Sequence, residues 1–225
     1  MISVIFDLDG TLVDSEPNYY ESGRRTLERH GVPGFTWEQH AAFIGIGTRE
    51  TLEILRGRHG IDAPVEQLLA EQNAAYLELA RAGTKTFPQM RAFVERLHGA
   101  GIPMAVASGS SREAIEAVLA GTGLDAWLTT TVSAEEVERG KPAPDVFLEA
   151  ARRLGAHPAD CVVVEDAAPG ALAAQAADME FMALPYASDA AADPAFATAG
   201  LLFRAGRREF TAEIAYDWLS EHRAA

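Results

Sequence analysis

Two aspartates, Asp7 and Asp9, directly follow the apolar run Ile2–Phe6. On an extended segment, side chains at i and i+2 point the same way. Both carboxylates would therefore share one face at the end of a strand. Neighbouring carboxylates repel unless a cation or a shared proton intervenes, and Gly10 would let the chain turn sharply behind them. Taken alone, Asp7-Leu8-Asp9-Gly10-Thr11 could be no more than an acidic turn.

Three further segments carry chemistry, two of them directly after an apolar run. Ser108-Gly109-Ser110 follows Ile102–Ala107 and opens a helical pattern. A hydroxyl and free amides at a helix start make an anion site, although plain helix capping uses the same residues. Gly140-Lys141-Pro142-Ala143-Pro144-Asp145 holds one lysine between stiff prolines. Glu165 and Asp166 follow Cys161–Val164, where two acids at a buried strand end are costly unless paired or metal-bound. Together these segments supply Asp7, Asp9, Ser108, Lys141, Glu165 and Asp166. Such an oxygen-rich set suits magnesium, which takes one or two protein carboxylates and shares the rest of its shell with water and phosphate.

The elements that must position these groups can be read from hydrophobic patterning. Short apolar runs at Ile2–Phe6, Ile102–Ala107, Cys161–Val164, Phe181–Leu184 and Leu201–Phe203, with a weaker one at Thr129–Val132, read as buried strands. Helical stripes lie between most of them. Met90, Phe93, Val94 and Leu97 form one, Ser110 with Glu113 resembles a capping box before a second, and Val146, Phe147, Ala150 and Leu154 form a third. Alternating strands and helices predict an α/β fold with a Rossmann-like parallel sheet. Ligands bind such sheets at the carboxyl ends of the strands.

One stretch breaks the alternation. Between about Glu16 and Lys85 there is no convincing strand, only helical stripes such as Leu52 with Leu55, and Val65, Leu68, Leu69, Gln72, Tyr76 and Leu79. Some 70 residues is too long for a plain loop. The reading is an inserted all-helical unit at 16–85, with the sheet-bearing core at 1–15 and 86–225. The Ala-rich stretch Ala187–Ala199 reads as a surface connection.

Bulk composition is that of a globular chain: 225 residues, 48 % hydrophobic and 23 % charged, with a formal net charge of −14. Such acidity disfavours nucleic acid and anionic membranes as partners. No apolar run reaches the roughly 20 residues of a membrane span, and the N-terminus lacks a signal-peptide pattern, so a cytoplasmic location is expected. The single cysteine, Cys161, lies in an apolar run and reads as a buried core thiol. The six histidines show no metal-ligand spacing.

The four segments in this order resemble the motifs of the haloacid dehalogenase (HAD) superfamily, over almost the whole chain. The helical insert resembles the cap of the subfamily that includes β-phosphoglucomutase and sugar-phosphate phosphatases. The resemblance implies a magnesium-dependent phosphatase acting on a small phosphorylated metabolite, such as a sugar phosphate, through an aspartyl-phosphate. Asp7 would be the nucleophile and a magnesium ligand. Asp9 would bind the metal through its carbonyl and act as acid and then base. Ser108, with Gly109 and Ser110, would hold the phosphate. Lys141 would neutralise developing charge, and Asp166 with Glu165 would complete the metal shell. Gly45-Ile46-Gly47-Thr48-Arg49-Glu50 resembles a specificity loop in which Arg49 binds a second anionic group of the substrate. A site closed by its own cap is compatible with a monomer.

This chain departs from the family pattern at Ala167, where relatives often carry serine, and at Asp178, where they often carry glycine. Aspartate tolerates the left-handed conformation such a turn needs. The alternative of β-phosphoglucomutase-type transfer is disfavoured because Tyr20 stands where mutase relatives carry histidine. Dehalogenase and phosphonatase chemistry is disfavoured by the presence of Asp9. A non-catalytic binding protein is disfavoured by the retention of mutually repelling carboxylates.

Overall fold

The strand-forming runs assemble as their alternation requires. The computed structural model describes residues 2–44, 46–186 and 190–222. Gly45 of the expected specificity loop and residues 187–189 of the Ala-rich stretch lie outside them. In chain order the elements begin with β1 (Ser3–Phe6) and β2 (Val13–Asp14). There follow the helices α1 (Glu16–Arg29), α2 (Trp37–Ala41), α3 (Thr48–His59) and α4 (Val65–Ala82), and then β3 (Lys85–Thr86). The chain continues through α5 (Pro88–Gly99), β4 (Met104–Ser108), α6 (Arg112–Thr122), β5 (Thr130–Ser133), α7 (Asp145–Leu154) and β6 (Cys161–Glu165). It ends with α8 (Ala168–Ala176), β7 (Glu180–Ala183), β8 (Leu201–Leu202) and α9 (Ala212–His222).

Six strands form one sheet in the order β5-β4-β1-β6-β7-β8, with every pairing parallel. The order reverses at β1, which places β1, β4 and β6 side by side at the switch point where such sheets bind ligands. Period-two alternation divides each strand between two cores. Val4, Phe6, Val106, Val162 and Val164 pack against Met90, Phe93, Val94 and Leu97 of α5. Ile5, Ala105, Ala107, Val132 and Val163 face α7 and α8 on the other side. Each fully buried large side chain contributes about 1.5–3 kcal/mol, so the central strands anchor the segments that follow them. Cys161 is buried, and burial pushes its thiol up to about 11.

The expected insert consists of α1 to α4, with its own small core of Leu27, Phe35, Phe43, Leu52, Leu55, Ile61 and Leu68. The stripe on α4 is split rather than continuous. Leu68 joins the core of the insert, whereas Tyr76, Leu77 and Ala80 join the core of the sheet domain. One helix thus closes the insert onto the sheet, and Arg81 donates to Glu113 of α6 across the seam (2.6 Å).

Three local expectations need correction. Between the main strands, Val13–Asp14 pairs antiparallel with Lys85–Thr86, bringing the two ends of the insert together. Two-residue strands carry no periodic signal, and their partners are distant in sequence. Helix α6 is capped by Ser111, whose side chain accepts from the Ala114 amide, and not by Ser110. In the Ala-rich stretch, Ala195 and Phe196 are buried, with Gln175 donating to the Ala195 carbonyl (2.6 Å). That part is therefore packed, not a surface connection. Asp178 takes the left-handed turn with φ of 54°.

Candidate active site

The carboxyl end of β1 delivers Asp7, whose amide donates to the Val164 carbonyl of β6 (3.0 Å). The end of β6 delivers Glu165 and Asp166. Asp7, Glu165 and Asp166 are all buried, and each offers a carboxylate oxygen within 4.8 Å of the others. Lys141 reaches in from the proline-braced loop between β5 and α7. Its Nζ donates to Asp7 Oδ1 (2.6 Å) and Glu165 Oε1 (3.3 Å) and lies 4.8 Å from the Phe147 ring centroid. Three strand and loop ends therefore converge on one point.

The charge balance of this point is unfavourable as it stands. Three buried carboxylates face one ammonium, so with all three ionised two negative charges would be uncompensated. Burial raises the Asp7 pKa and Asp9 adds to the rise, with Lys141 opposing it. Burial and the neighbouring Asp7 push Glu165 up to about 8. Asp166 is raised well above the usual carboxylate range by burial, then by Glu165 and Asp7. Burial alone would lower the Lys141 pKa, but Asp7 and Glu165 outweigh it and hold the ammonium charged. A divalent cation would carry the missing charge, and an all-oxygen donor set suits a hard ion. The Asp9 side chain is not part of this cluster.

These shifts fix the sign of a pH dependence. Carboxylates with raised pKa values in the folded state hold protons that the unfolded chain releases. Their contribution to stability is present below the unfolded values near 4.5 and is lost as pH rises through the folded values, about 8 for Glu165. Thermal melting of the chelated protein is expected to fall by several degrees between about pH 5 and pH 9. Magnesium should flatten that slope by binding the deprotonated form. A slope unchanged by metal would contradict a cation site here.

Backbone and neighbouring groups hold the cluster in place. Thr11 Oγ1 donates to Asp166 Oδ1 (3.0 Å). Gly10 has φ of 86°, and a Cβ there would overlap the Asp166 carboxylate. A Cβ at Gly170 would overlap that of Glu165. Arg207 donates to the Gly10 carbonyl (2.7 Å), with its guanidinium 4.3 Å from the Phe87 ring and 3.9 Å from that of Tyr186. The sequence reading missed Thr11, Gly170 and Arg207 as contributors. The glycine in Ala168-Pro169-Gly170, at a helix start just after two acids, was the one available signal.

Asp9 has a different environment, made of hydroxyls. Ser110 Oγ donates to Asp9 Oδ2 (2.6 Å), and Ser108 Oγ donates to the same oxygen (3.4 Å) while accepting from the Ser110 amide (3.0 Å). From α4, Tyr76 OH donates to Asp9 Oδ1 (3.2 Å). Tyr19 of α1 shares a hydrogen bond with Ser110 Oγ (2.7 Å), and its ring stacks on Tyr76 at 4.3 Å. Burial and the nearby Asp9 raise both phenols well above their ordinary pKa. Both tyrosines therefore stay neutral.

Two expectations about the insert change. Tyr20 does not face Asp9; its hydroxyl donates to the Phe35 carbonyl (3.1 Å) and its ring packs with Trp37 and His40 inside the insert. The residue of α1 that meets the site is Tyr19, one position earlier. Arg49 is exposed on the first turn of α3 and donates to Glu66 of α4 (3.1 Å), so it is paired within the insert. Gly109 is exposed beside Ser108.

Comparison with known proteins identifies the family. The family model described as haloacid dehalogenase-like hydrolase matches residues 3–178. The fructose-1-phosphate phosphatase YqaB of Escherichia coli is 34 % identical over 177 residues, covering 79 % of this chain and 93 % of that protein. The phosphorylated carbohydrates phosphatase of Thermotoga maritima is 34 % identical over 185 residues, covering 80 % of this chain and 83 % of that one. Among solved structures, a β-phosphoglucomutase from Clostridium difficile superimposes with a TM-score of 0.80 over the whole of both chains at 22 % identity, a likeness of fold. The match of the family model over residues 3–178, most of the chain, establishes that this chain belongs to the haloacid dehalogenase-like hydrolase family.

Proposed function

We propose that this enzyme is a magnesium-dependent phosphatase of small phosphorylated carbohydrates, working through an aspartyl-phosphate on Asp7. The observation that carries the reading is the Asp7–Lys141–Glu165–Asp166 cluster at the sheet's switch point, two positive charges short of neutrality when its carboxylates are all ionised. Names of relatives that act on fructose 1-phosphate and phosphorylated carbohydrates support the substrate class. Asp7, Glu165 and Asp166 would hold the ion, with Asp9 contributing its carbonyl. Bound there, magnesium would neutralise charge on the phosphate.

The protein groups then divide the work. Lys141 holds Oδ1 of Asp7 and so orients the carboxylate that attacks phosphorus. As that bond forms, the bond to the leaving oxygen breaks and Asp9 gives that oxygen a proton. Asp9, now ionised, takes a proton from water as the water attacks the aspartyl-phosphate, releasing inorganic phosphate and restoring Asp7. Ser108, Gly109 and the Ser110 amide would receive the phosphate oxygens. Phosphoryl transfer depends almost wholly on such positioning and charge neutralisation. We assign residues 1–15 and 86–225 to the core and 16–85 to the cap, a division supported by the β2–β3 pairing at the root of the insert. Arg49 would have to exchange Glu66 for a substrate anion to serve as a binding residue. The enzyme would act on this metabolite as a monomer in the cytoplasm.

Phosphorus NMR on a labelled hexose 1-phosphate tests the reading. Stoichiometric release of inorganic phosphate is expected, with no dependence on a bisphosphate activator. Accumulation of the 6-phosphate isomer, stimulated by hexose 1,6-bisphosphate, would replace the phosphatase reading by a mutase one.

A further inference from the structure

Three arginines lie in the short segment between Phe203 and Phe210, beyond the residues that the family model matches. Arg204 and Arg208 are exposed, whereas Arg207 is half-buried. The buried rings of Phe203 and Phe210 pin the segment to the core of the sheet. Gly206 has φ of 56°, and a Cβ there would overlap the Pro185 carbonyl. That close approach delivers Arg207 to the back of the carboxylate cluster. Its guanidinium lies against the rings of Phe87 and Tyr186 and donates to the Gly10 carbonyl (2.7 Å). Both rings belong to residues tied to the loops of the site. The Tyr186 amide donates to the Asp166 carbonyl (3.3 Å) and its hydroxyl to Asp14 Oδ1 (3.2 Å), while the Phe87 amide donates to the Leu12 carbonyl (3.4 Å).

The carbonyl that Arg207 holds belongs to the peptide that carries Thr11. Thr11 is fully buried, and its Oγ1 donates to Asp166 Oδ1 (3.0 Å). One peptide earlier, the Gly10 amide donates to the Val13 carbonyl (2.9 Å) and so fixes the peptide that bears the Asp9 carbonyl. Loss of a group that orients a metal ligand costs about 10–100-fold in metal affinity. A planar guanidinium stacked on aromatic faces is a rigid anchor for such a loop. Its partner here is a neutral carbonyl, so the contact fixes position. The charge works the other way. Burial, Glu165 and Asp7 raise the Asp166 pKa, and after Thr11 the charge of Arg207 opposes them. A cation close enough to do that repels a metal ion bound at Asp166.

Resting on the magnesium-dependent reading, we propose that Arg207 is a positioning residue of the metal site, holding Gly10 and Thr11, and through them Asp9 and Asp166, in the arrangement that binds magnesium. Position and charge give opposite signs. If Arg207 positions the loop, its loss weakens magnesium binding. If it only adds positive charge, its loss strengthens magnesium binding.

Arg207→Met keeps an unbranched stem against Phe87 and Tyr186 but removes the hydrogen bond and the charge. Calorimetric titration of the chelator-stripped proteins with magnesium chloride is the measurement. The dissociation constant of Arg207→Met is expected to rise about tenfold over that of the wild type. At saturating magnesium its kcat should return to within a few-fold of the wild-type value, because Arg207 touches neither Asp7 nor the phosphate-receiving loop. Thr11→Val should weaken magnesium binding as well. The double variant should lose much less than the product of the two single losses, because both act through one loop. Arg207→Lys keeps the charge on a side chain that neither stacks as a plane nor forks. It should bind magnesium a few-fold more weakly than the wild type, and it carries the test if Arg207→Met does not fold. Magnesium binding that is unchanged or tighter in the folded variants, or losses that multiply in the double variant, would overturn the proposal and leave the phosphatase reading standing. A wild type that binds no magnesium would remove the metal-dependent reading and this proposal with it.

Discussion

Asp7→Asn is expected to lower kcat by at least about three orders of magnitude on every phosphate ester the enzyme accepts, because it removes a covalent catalyst. The substitution preserves shape and keeps an oxygen for Lys141, so the loss can be assigned to nucleophilic charge. Stability should move the other way. Asp7 is one of three crowded carboxylates and helps push Glu165 up to about 8. Taking its charge away relieves that repulsion, so the metal-free variant should melt at or above the temperature of the metal-free wild type. Paired measurements of kcat and of the melting temperature check both signs together. Substantial turnover by the purified variant would remove Asp7 as nucleophile, and a folded, inactive and no less stable variant is the result the proposed mechanism predicts. Beryllium fluoride should inhibit the wild type by mimicking a phosphorylated aspartate, and should fail to protect the variant.

The second large effect is on metal removal. Chelation should abolish turnover, and magnesium should restore it. The reason lies in the same imbalance: Asp7, Glu165 and Asp166 are buried against a single Lys141, and bringing in a phosphate would add further negative charge. Without a divalent ion nothing offsets the repulsion between the Asp7 carboxylate and an incoming phosphate, so attack is blocked. Calcium should bind the same oxygens and inhibit, because its looser and more numerous coordination misplaces the phosphate relative to Asp7. Activity that survives exhaustive chelation would be incompatible with this chemistry. Glu165→Gln and Asp166→Asn offer a graded version, since each leaves one carboxylate fewer to hold the ion and should raise the magnesium concentration needed for half-maximal activity.

Fold and cluster were legible in the residues because both depend on local pattern. Buried parallel strands read as short apolar runs, and the ligand edge of such a sheet is where those runs stop, so Asp7, Ser108 and Glu165–Asp166 announce themselves by position. Lys141 was legible through its prolines, and the insert through the absence of strands over its length. What no local pattern carries is which distant side chains meet at that edge. Tyr76 contacts Asp9 from 67 positions away, and Arg207 reaches the Gly10 carbonyl from 197 positions away. Tyr76 sits in a helical stripe that reads as ordinary core, and only the closure of α4 onto the sheet turns its hydroxyl to Asp9. Tyr19 and Tyr20 are neighbours of one type on one helix. The pitch of α1 alone sends the first to Ser110 and the second into the insert. Arg49 reads as a free cation until α4 brings Glu66 to it. Sequence by itself determined the sheet and the carboxylates at its edge, since these follow from periodicity and charge. Tertiary structure decided what surrounds Asp9, because that depends on how one helical insert packs against the sheet, a contact between surfaces whose partners are set by the whole fold.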